Sequence, residues 1–491
     1  MNDMRFEMHN IKDEQVYKDT LCLVLLKVLD DIDSRLDVHI GNSLNQGFFV
    51  YWGDTDAPLS NAEFGRIKDG MRAIIDADIE IETVSMSNAA VAELWRACRW
   101  DEKADLLENR DPDEEIRICK LGDYINCFYG EVLPSTGLLE SYELRRYKNG
   151  LLLRHPYADS KGKIPEYRDD DKLYKAFAES KRMRKALGID YLADLNKRTD
   201  AGEIASVIED AEEEMRCEIA EIAGTIVEQG KRIVLIAGPS SSGKTTFAKR
   251  LCKAIAEISS EPIYLGTDDY FVERKDTPLG PDGEPDYEGL GALDKELFNE
   301  QMAGLLEGRE IDMPTYDFVK GEKIFGDRKL KAKPGQTIVI EGIHSLNDEL
   351  TPDIDISDKF KIYISPLTRI GIDRHNRLST AGARLLRRMV RDNQFRGYTA
   401  AQTIHTWPKV RLGESRNIFP YSSSADVVFN SSLVYETALL VGFARPLLEE
   451  IGPEEPEYEE AQRLLEVFKY FNAIEEASLV PDDSLLKEFI G

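Results

Sequence analysis

Gly238-Pro239-Ser240-Ser241-Ser242-Gly243-Lys244-Thr245-Thr246 follows directly on the apolar run Ile233–Ala237. Glycine, four residues, then Gly-Lys-Thr is the residue set a phosphate-binding loop requires. The glycines let the backbone turn its N–H groups inward on an anion. The ammonium reaches the β- and γ-phosphates of ATP, and the Thr245 hydroxyl can join the shell of a Mg2+ ion. A helix is expected over 245–258, with Ala248, Leu251, Ala254 and Ile255 at helical spacing. Its positive end would face the same anion.

A loop that grips ATP becomes a kinase only with metal support, a group that orients the acceptor, and positive charge for the phosphoryl in transit. Thr267-Asp268-Asp269-Tyr270-Phe271 follows the second apolar run. In a doubly wound sheet the end of that strand borders the ligand crevice. Asp268 or Asp269 is thus placed to take or orient a hydroxyl proton, and Asp269 reads equally as a helix cap. The third apolar run ends in Glu341-Gly342-Ile343-His344. An acid at the tip of such a strand is a metal-side residue, so Glu341 joins Thr245, while His344 lines the site or packs in the core. Pro285-Asp286-Tyr287-Glu288 and Met313-Pro314-Thr315-Tyr316-Asp317-Phe318 set aromatics beside carboxylates. Tyr316 and Phe318 could stack on a base and Glu288 could bond ribose hydroxyls, or the rings could simply pack. Across 369–416 the charge reverses: Arg384, Arg388, Arg391, Arg396 and seven other basic residues face only Asp373, Asp392 and Glu414. Arg384, Arg388 and Arg391 share one helical side. Guanidinium matches phosphate oxygens, so this stretch reads as a lid that offsets transition-state charge.

The elements that must hold these groups follow from periodicity. From 231 to 450, strand and helix signals alternate, with strands expected at 233–237, 262–266, 337–340, 361–364 and 427–429. This is the α/β pattern of a parallel sheet with helices on both faces, and with the phosphate loop after its first strand a P-loop NTPase-type sheet is expected. Residues 1–160 read as a smaller α+β domain, with helices over 17–29 and 60–75 and strands at 48–52, 79–84, 117–121 and 151–154. Residues 161–230 read as a helical linker, with helices over 170–186 and 203–229. Residues 451–491 read as a helical tail. A chain of 491 residues is too long for one core. Its net charge of −28 argues against non-specific nucleic-acid binding and against docking on anionic membranes. Six cysteines without a C-x-x-C pair indicate a reducing compartment and no zinc site. The first twenty residues are too polar for a signal peptide, and no apolar run could span a bilayer. A cytoplasmic homo-oligomer is expected.

Five ordered motifs, G-P-S-S-S-G-K-T-T, T-D-D-Y-F, P-T-Y-D-F, I-E-G-I-H-S-L-N and R-R-M-V-R-D-N-Q-F-R-G, resemble uridine kinase and its phosphoribulokinase relatives over residues 231–435. The resemblance implies ATP and Mg2+ as cofactors and γ-phosphoryl transfer to the 5′-hydroxyl of a nucleoside, uridine first. It makes Asp268 the acceptor-activating acid, Lys244 and Thr245 the phosphate and Mg2+ residues, and Glu341 the strand-end acid. Tyr316 and Phe318 become nucleoside-site aromatics, and Arg388, Arg391 and Arg396 lid arginines. Glu288 stands where many members carry an aspartate. The histidine that uridine–cytidine kinases place after the Y-D-F aromatics is missing, with Lys320 and Gly321 in that region, and Tyr398 replaces a lid arginine of some members. Another small alcohol, such as a pentose phosphate, is the alternative acceptor.

V-H-I-G-N-S-L-N-Q-G-F-F-V and L-G-D-Y-I-N-C-F-Y-G-E-V-L-P-S-T-G resemble the second N-terminal, editing-type domain of threonyl-tRNA synthetase. Where that family carries its histidines and cysteine, this chain has Thr20, Val24, Phe128 and Val132. The resemblance therefore implies no editing hydrolysis. It leaves open binding of a tRNA end and, as a further alternative, a nucleotide-gated binding protein of translation.

Overall fold

The computed structural model describes residues 11–53, 58–108, 110–157, 162–280 and 283–491. Its chain forms two compact units, each interleaved from three stretches. One comprises residues 1–204, 368–383 and 437–475; the other comprises 205–367, 384–436 and 476–491.

The second unit is built on five parallel strands: β1 (Ile233–Ala237), β2 (Ile263–Gly266), β3 (Ile338–Glu341), β4 (Lys359–Ser365) and β5 (Val427–Asn430), in the order β5-β4-β1-β3-β2. β1 and β4 are buried along their whole length, as parallel strands covered on both faces must be. β4 begins earlier than its apolar run predicts. Lys359 and Lys361 are carried inside because Asp348 takes both ammonium groups, and the Thr351 carbonyl accepts from Lys359 at 2.8 Å.

Register places the carboxyl ends together. Glu341 pairs with Ile236 of β1 and Gly266 of β2. The loop after β1, the turn after β2 and the tip of β3 therefore open on one edge of the sheet, where the strand order reverses. Among the helices are α1 (Ile204–Glu228), α2 (Lys244–Ile258), α3 (Lys295–Leu306), α4 (Thr380–Arg396) and α5 (Ala400–Asn417). In α2, Phe247, Ala248, Leu251 and Ile255 are buried, and the Phe247 ring lies 4.3 Å from that of Phe429. In α1, the buried Glu212 accepts from the Tyr435 hydroxyl at 2.8 Å and pairs with Arg250.

The first unit has an antiparallel sheet of Val38–Leu44, Gly47–Trp52, Gly150–Arg154 and Glu143–Tyr147, in that order, and a smaller sheet of Glu82–Ser87, Glu115–Leu121 and Tyr124–Asn126. Helices Ile11–Ile32 and Asn61–Asp76 share its core, into which the former sends Leu21 through Leu26. The strand expected at 79–84 lies instead at Glu82–Ser87. The Ile79 and Ile81 amides are spent on the Thr136 hydroxyl and the Pro134 carbonyl, which holds them out of the ladder. No helix among the described residues is long and apolar enough to cross a membrane.

Candidate active site

The loop after β1 takes its shape from two close constraints. A Cβ at Gly238 would fall 2.1 Å from the Ile364 carbonyl oxygen, so β4 excludes every other residue there. Gly243 caps α2 in the left-handed region (φ 83°), and Ser241 is left-handed too (φ 59°). Such reversals turn successive amides toward one concavity. Ser241 and Ser242 are buried, with hydroxyls that find no partner among the described residues. Lys244 Nζ donates to the carbonyls of Gly238 (3.0 Å) and Pro239 (3.2 Å). Thr246 meets the chain's own Glu488 through its N–H and hydroxyl.

Thr245 and Glu341 are brought into contact by the register of β1 and β3: the Thr245 hydroxyl donates to Glu341 Oε1 at 2.8 Å. The Tyr264 hydroxyl of β2 donates to the same oxygen at 3.1 Å, a positioning contact absent from the sequence reading. Burial and the adjoining Glu341 push the Tyr264 phenol far above its usual range. A hydroxyl and a carboxylate in contact, with a second acid close by, form a hard-oxygen donor set that suits Mg2+.

That second acid is Asp268, in the turn after β2. Its surface reaches solvent, yet the cleft walls crowd it. Lost hydration first, then the charges of Glu341 and Asp269, push its carboxyl up to about 6 against the pull of Lys244. It makes no hydrogen bond or ion pair among the described residues. Asp269 is committed: Arg328 holds one oxygen at 2.6 Å and the Tyr316 amide donates to the other at 3.3 Å. Of the two adjacent acids, only Asp268 is available to a ligand. Asp269 ties the turn to the hairpin Thr315–Asp317/Glu322–Ile324.

On that hairpin Tyr316 is buried and Phe318 exposed, their centroids 5.0 Å apart, with Phe271 at 5.6 and 6.1 Å from them. Glu288 is exposed and leans on α5, where a Cβ at Gly413 would approach its Cγ to 3.3 Å. Reduced hydration and Glu414 raise its carboxyl, while Lys244 and Arg388 oppose; Glu288 therefore stands within electrostatic reach of the loop. His344 is buried, and desolvation lowers its pKa to about 4 against the opposing pull of the Glu288 and Gly289 backbone and of Asp286.

The basic stretch is not one face. Residues 368–383 belong to the first unit, where Arg374 pairs with Glu102 and Asp37. In the second unit Arg387 is fully buried against Glu436 and the Ser431 carbonyl. Arg384 is also buried. It pairs with Glu414, donates to the Ser240 carbonyl at 2.9 Å and lies over Trp407. Glu414 in turn accepts from the Ser240 N–H at 2.8 Å. Both arginines fasten α4 to the loop and do not hinge above it. Of the three expected lid residues, Arg388 hydrogen-bonds the loop, through the Ser240 hydroxyl at 2.9 Å. Arg388, Arg391 and Arg396 converge on the buried Asp392 at 3.1, 3.1 and 3.4 Å.

In the first unit, Thr20 and Val24 are fully buried and Phe128 nearly so, with Val132 packed against the same core. The Thr20 hydroxyl donates to the Val16 carbonyl and accepts from the Leu133 amide.

Residues 233–438 match the family described as phosphoribulokinase / uridine kinase. The uridine kinase of Borrelia duttonii (strain Ly) is 31% identical over 215 residues, which span 43% of this chain and 91% of the relative. That of Deinococcus deserti is 27% identical over 208 residues, 42% of this chain and 91% of the relative. A solved structure described as a possible uridine kinase from Bacillus stearothermophilus aligns at 21% identity with a TM-score of 0.30, covering 44% of this chain and 99% of that one. The matched stretch carries the loop, Asp268, Glu341 and the arginines of α4, and the chain belongs to the phosphoribulokinase/uridine kinase family of ATP-dependent kinases.

Proposed function

We propose that this chain transfers the γ-phosphoryl group of ATP to the 5′-hydroxyl of a nucleoside, with uridine as the acceptor. One observation carries the reading: an unpartnered Asp268, raised to about 6, between the loop lysine and the strand-end acid Glu341. A carboxylate whose pKa sits near the working pH can accept a hydroxyl proton without being permanently protonated. Lys244 exchanges the Gly238 and Pro239 carbonyls for phosphate oxygens, and the amides opening α2 receive the rest of the triphosphate. Arg388, already at the loop, lends its guanidinium to the charge of the phosphoryl in transit. Mg2+, held by Thr245 and Glu341, would neutralise the β- and γ-oxygens. Tyr316 and Phe318 offer the base a ring surface beside Glu288 for ribose hydroxyls and His344 in the wall.

The hairpin also bears on the acceptor. Arg328 is committed to Asp269 and Arg274 to the carbonyls of Phe318 and Val319. These cations are thus spent within the protein, which favours an uncharged nucleoside over a pentose phosphate. The test is ADP release from ATP with each common ribonucleoside. Uridine should saturate it in the micromolar range; stimulation by a pentose phosphate alone, or by no nucleoside, overturns the reading.

For the rest of the chain we propose a domain at 1–160 of the threonyl-tRNA synthetase editing type without hydrolytic function, a linker at 161–230, the kinase domain at 231–450 and a tail at 451–491. Burial of Thr20, Val24 and Phe128 supports the loss of hydrolysis. Six free cysteines accord with a cytoplasmic enzyme.

A further inference from the structure

The amides that open α2 are where a nucleotide's phosphates must sit, and one of them is taken. Glu488 Oε2 accepts from the Thr246 hydroxyl at 2.9 Å and from the Thr246 backbone N–H at 3.4 Å. The stretch that delivers it is firmly seated. Leu485, Leu486 and Phe489 are fully buried. The Phe489 ring lies 5.0 Å from the Arg387 guanidinium, and a Cβ on Gly243 would stand 3.7 Å from Leu485.

No cation among the described residues pairs with Glu488. Its charge is held by the first turn of α2, as an anion's is at any helix N-terminus. Two neighbouring contacts show the same self-occupied loop. Glu414 sits on the Ser240 amide, and the Lys244 ammonium is turned onto loop carbonyls.

We propose that residues 484–491 form an autoinhibitory strap, in which the Glu488 carboxylate occupies the Thr246 donors in place of a nucleotide phosphate and must leave before ATP can bind. The inference rests on the reading of this loop as the ATP site. A tethered carboxylate competes at high effective concentration whatever its intrinsic weakness. A phosphate brings more charge and more acceptor oxygens to the same donors, so the nucleotide wins at a cost in apparent affinity. The apparent affinity is the intrinsic one multiplied by the fraction of molecules with the strap open.

Glu488→Gln removes the charge and keeps the shape. The probe is a non-hydrolysable ATP analogue with Mg2+, titrated calorimetrically into the full-length protein and the variant. The variant should bind about tenfold more tightly, the gain expected when the strap is closed in about nine molecules of ten. Equal or weaker binding by the variant overturns the proposal. Binding by neither protein removes the nucleotide-site reading and the strap with it. Hydrogen exchange in the unaltered protein gives an independent arm. The amides of 485–490 should exchange faster when the analogue is bound, and protection would show that the segment completes the site and does not block it.

Discussion

Asp268→Asn should abolish catalysis and stabilise the protein at the same time, and the two effects share one cause. Crowding, Glu341 and Asp269 raise the Asp268 carboxyl from 3.8 to about 6. At full strength that difference is about 3 kcal/mol against the ionised folded state. The side chain touches solvent, so screening reduces it to on the order of 1 kcal/mol. Because the folded-state pKa is the higher one, the native state is unpenalised below 3.8, and the penalty grows as pH rises through about 6. An asparagine carries no penalty at any pH. Thermal melts should therefore show the variant about 2–4 °C more stable at pH 7.5, with the gain fading to nothing near pH 3.5. The same titration should give wild-type kcat/KM an acid limb with a midpoint near 6, and the variant should lose about 10²–10⁴ in kcat. A stability gain over wild type no larger at pH 7.5 than at pH 3.5, or near-normal turnover in the variant, would refute the reasoning.

Lys244→Ala should cost about 10²–10³ in kcat/KM and most of the ATP affinity. Its circular dichroism should be unchanged, since the lysine's own partners are two loop carbonyls. Glu414→Ala strands the buried Arg384 and should lower unfolding free energy by about 3–5 kcal/mol in urea titrations. Arg384→Met with Glu414→Leu should recover most of that stability and none of the loop geometry. Tyr264→Phe removes one of two hydrogen bonds to Glu341. Stability should fall by about 0.5–1.5 kcal/mol, and the Mg2+ concentration for half-maximal rate should rise severalfold.

How much of this was legible depends on the range over which each signal acts. The phosphate loop, β1 and α2 were readable because strand, glycine, lysine and helix follow one another within 26 residues of chain, from Ile233 to Ile258. The hairpin joining Val38–Leu44 to Gly47–Trp52 was half seen. It turns on Asn45–Gln46, both left-handed at φ 51° and 55°, without the Asn-Gly pair that usually marks such a turn. Residue type alone left Asp268 and Asp269 open, and only the resemblance chose Asp268; the contact that commits Asp269 comes from Arg328, nearly sixty residues away. Tyr264 looked like an ordinary strand residue, and only the pairing of β2 with β3 brings its hydroxyl to Glu341.

The arginines of α4 show why charge counts alone mislead here. Counting bases against acids over 369–416 makes the stretch a free cationic lid, yet two of its three acids hold its key guanidinium groups: Glu414 takes Arg384, and Asp392 gathers Arg388, Arg391 and Arg396. A third acid outside the stretch, Glu436, takes Arg387. In a chain with 28 more acids than bases, a site for a polyanion must be shielded from the protein's own carboxylates or already filled by them. This one is filled, with Glu414 on the Ser240 amide and Glu488 on Thr246. The two differ in what it takes to move them. Glu414 is buried with its cation, so displacing it exposes an unpaired charge. Glu488 pairs with no cation among the described residues, so its departure strands no buried charge, and that makes the C-terminal acid the one that nucleotide can displace.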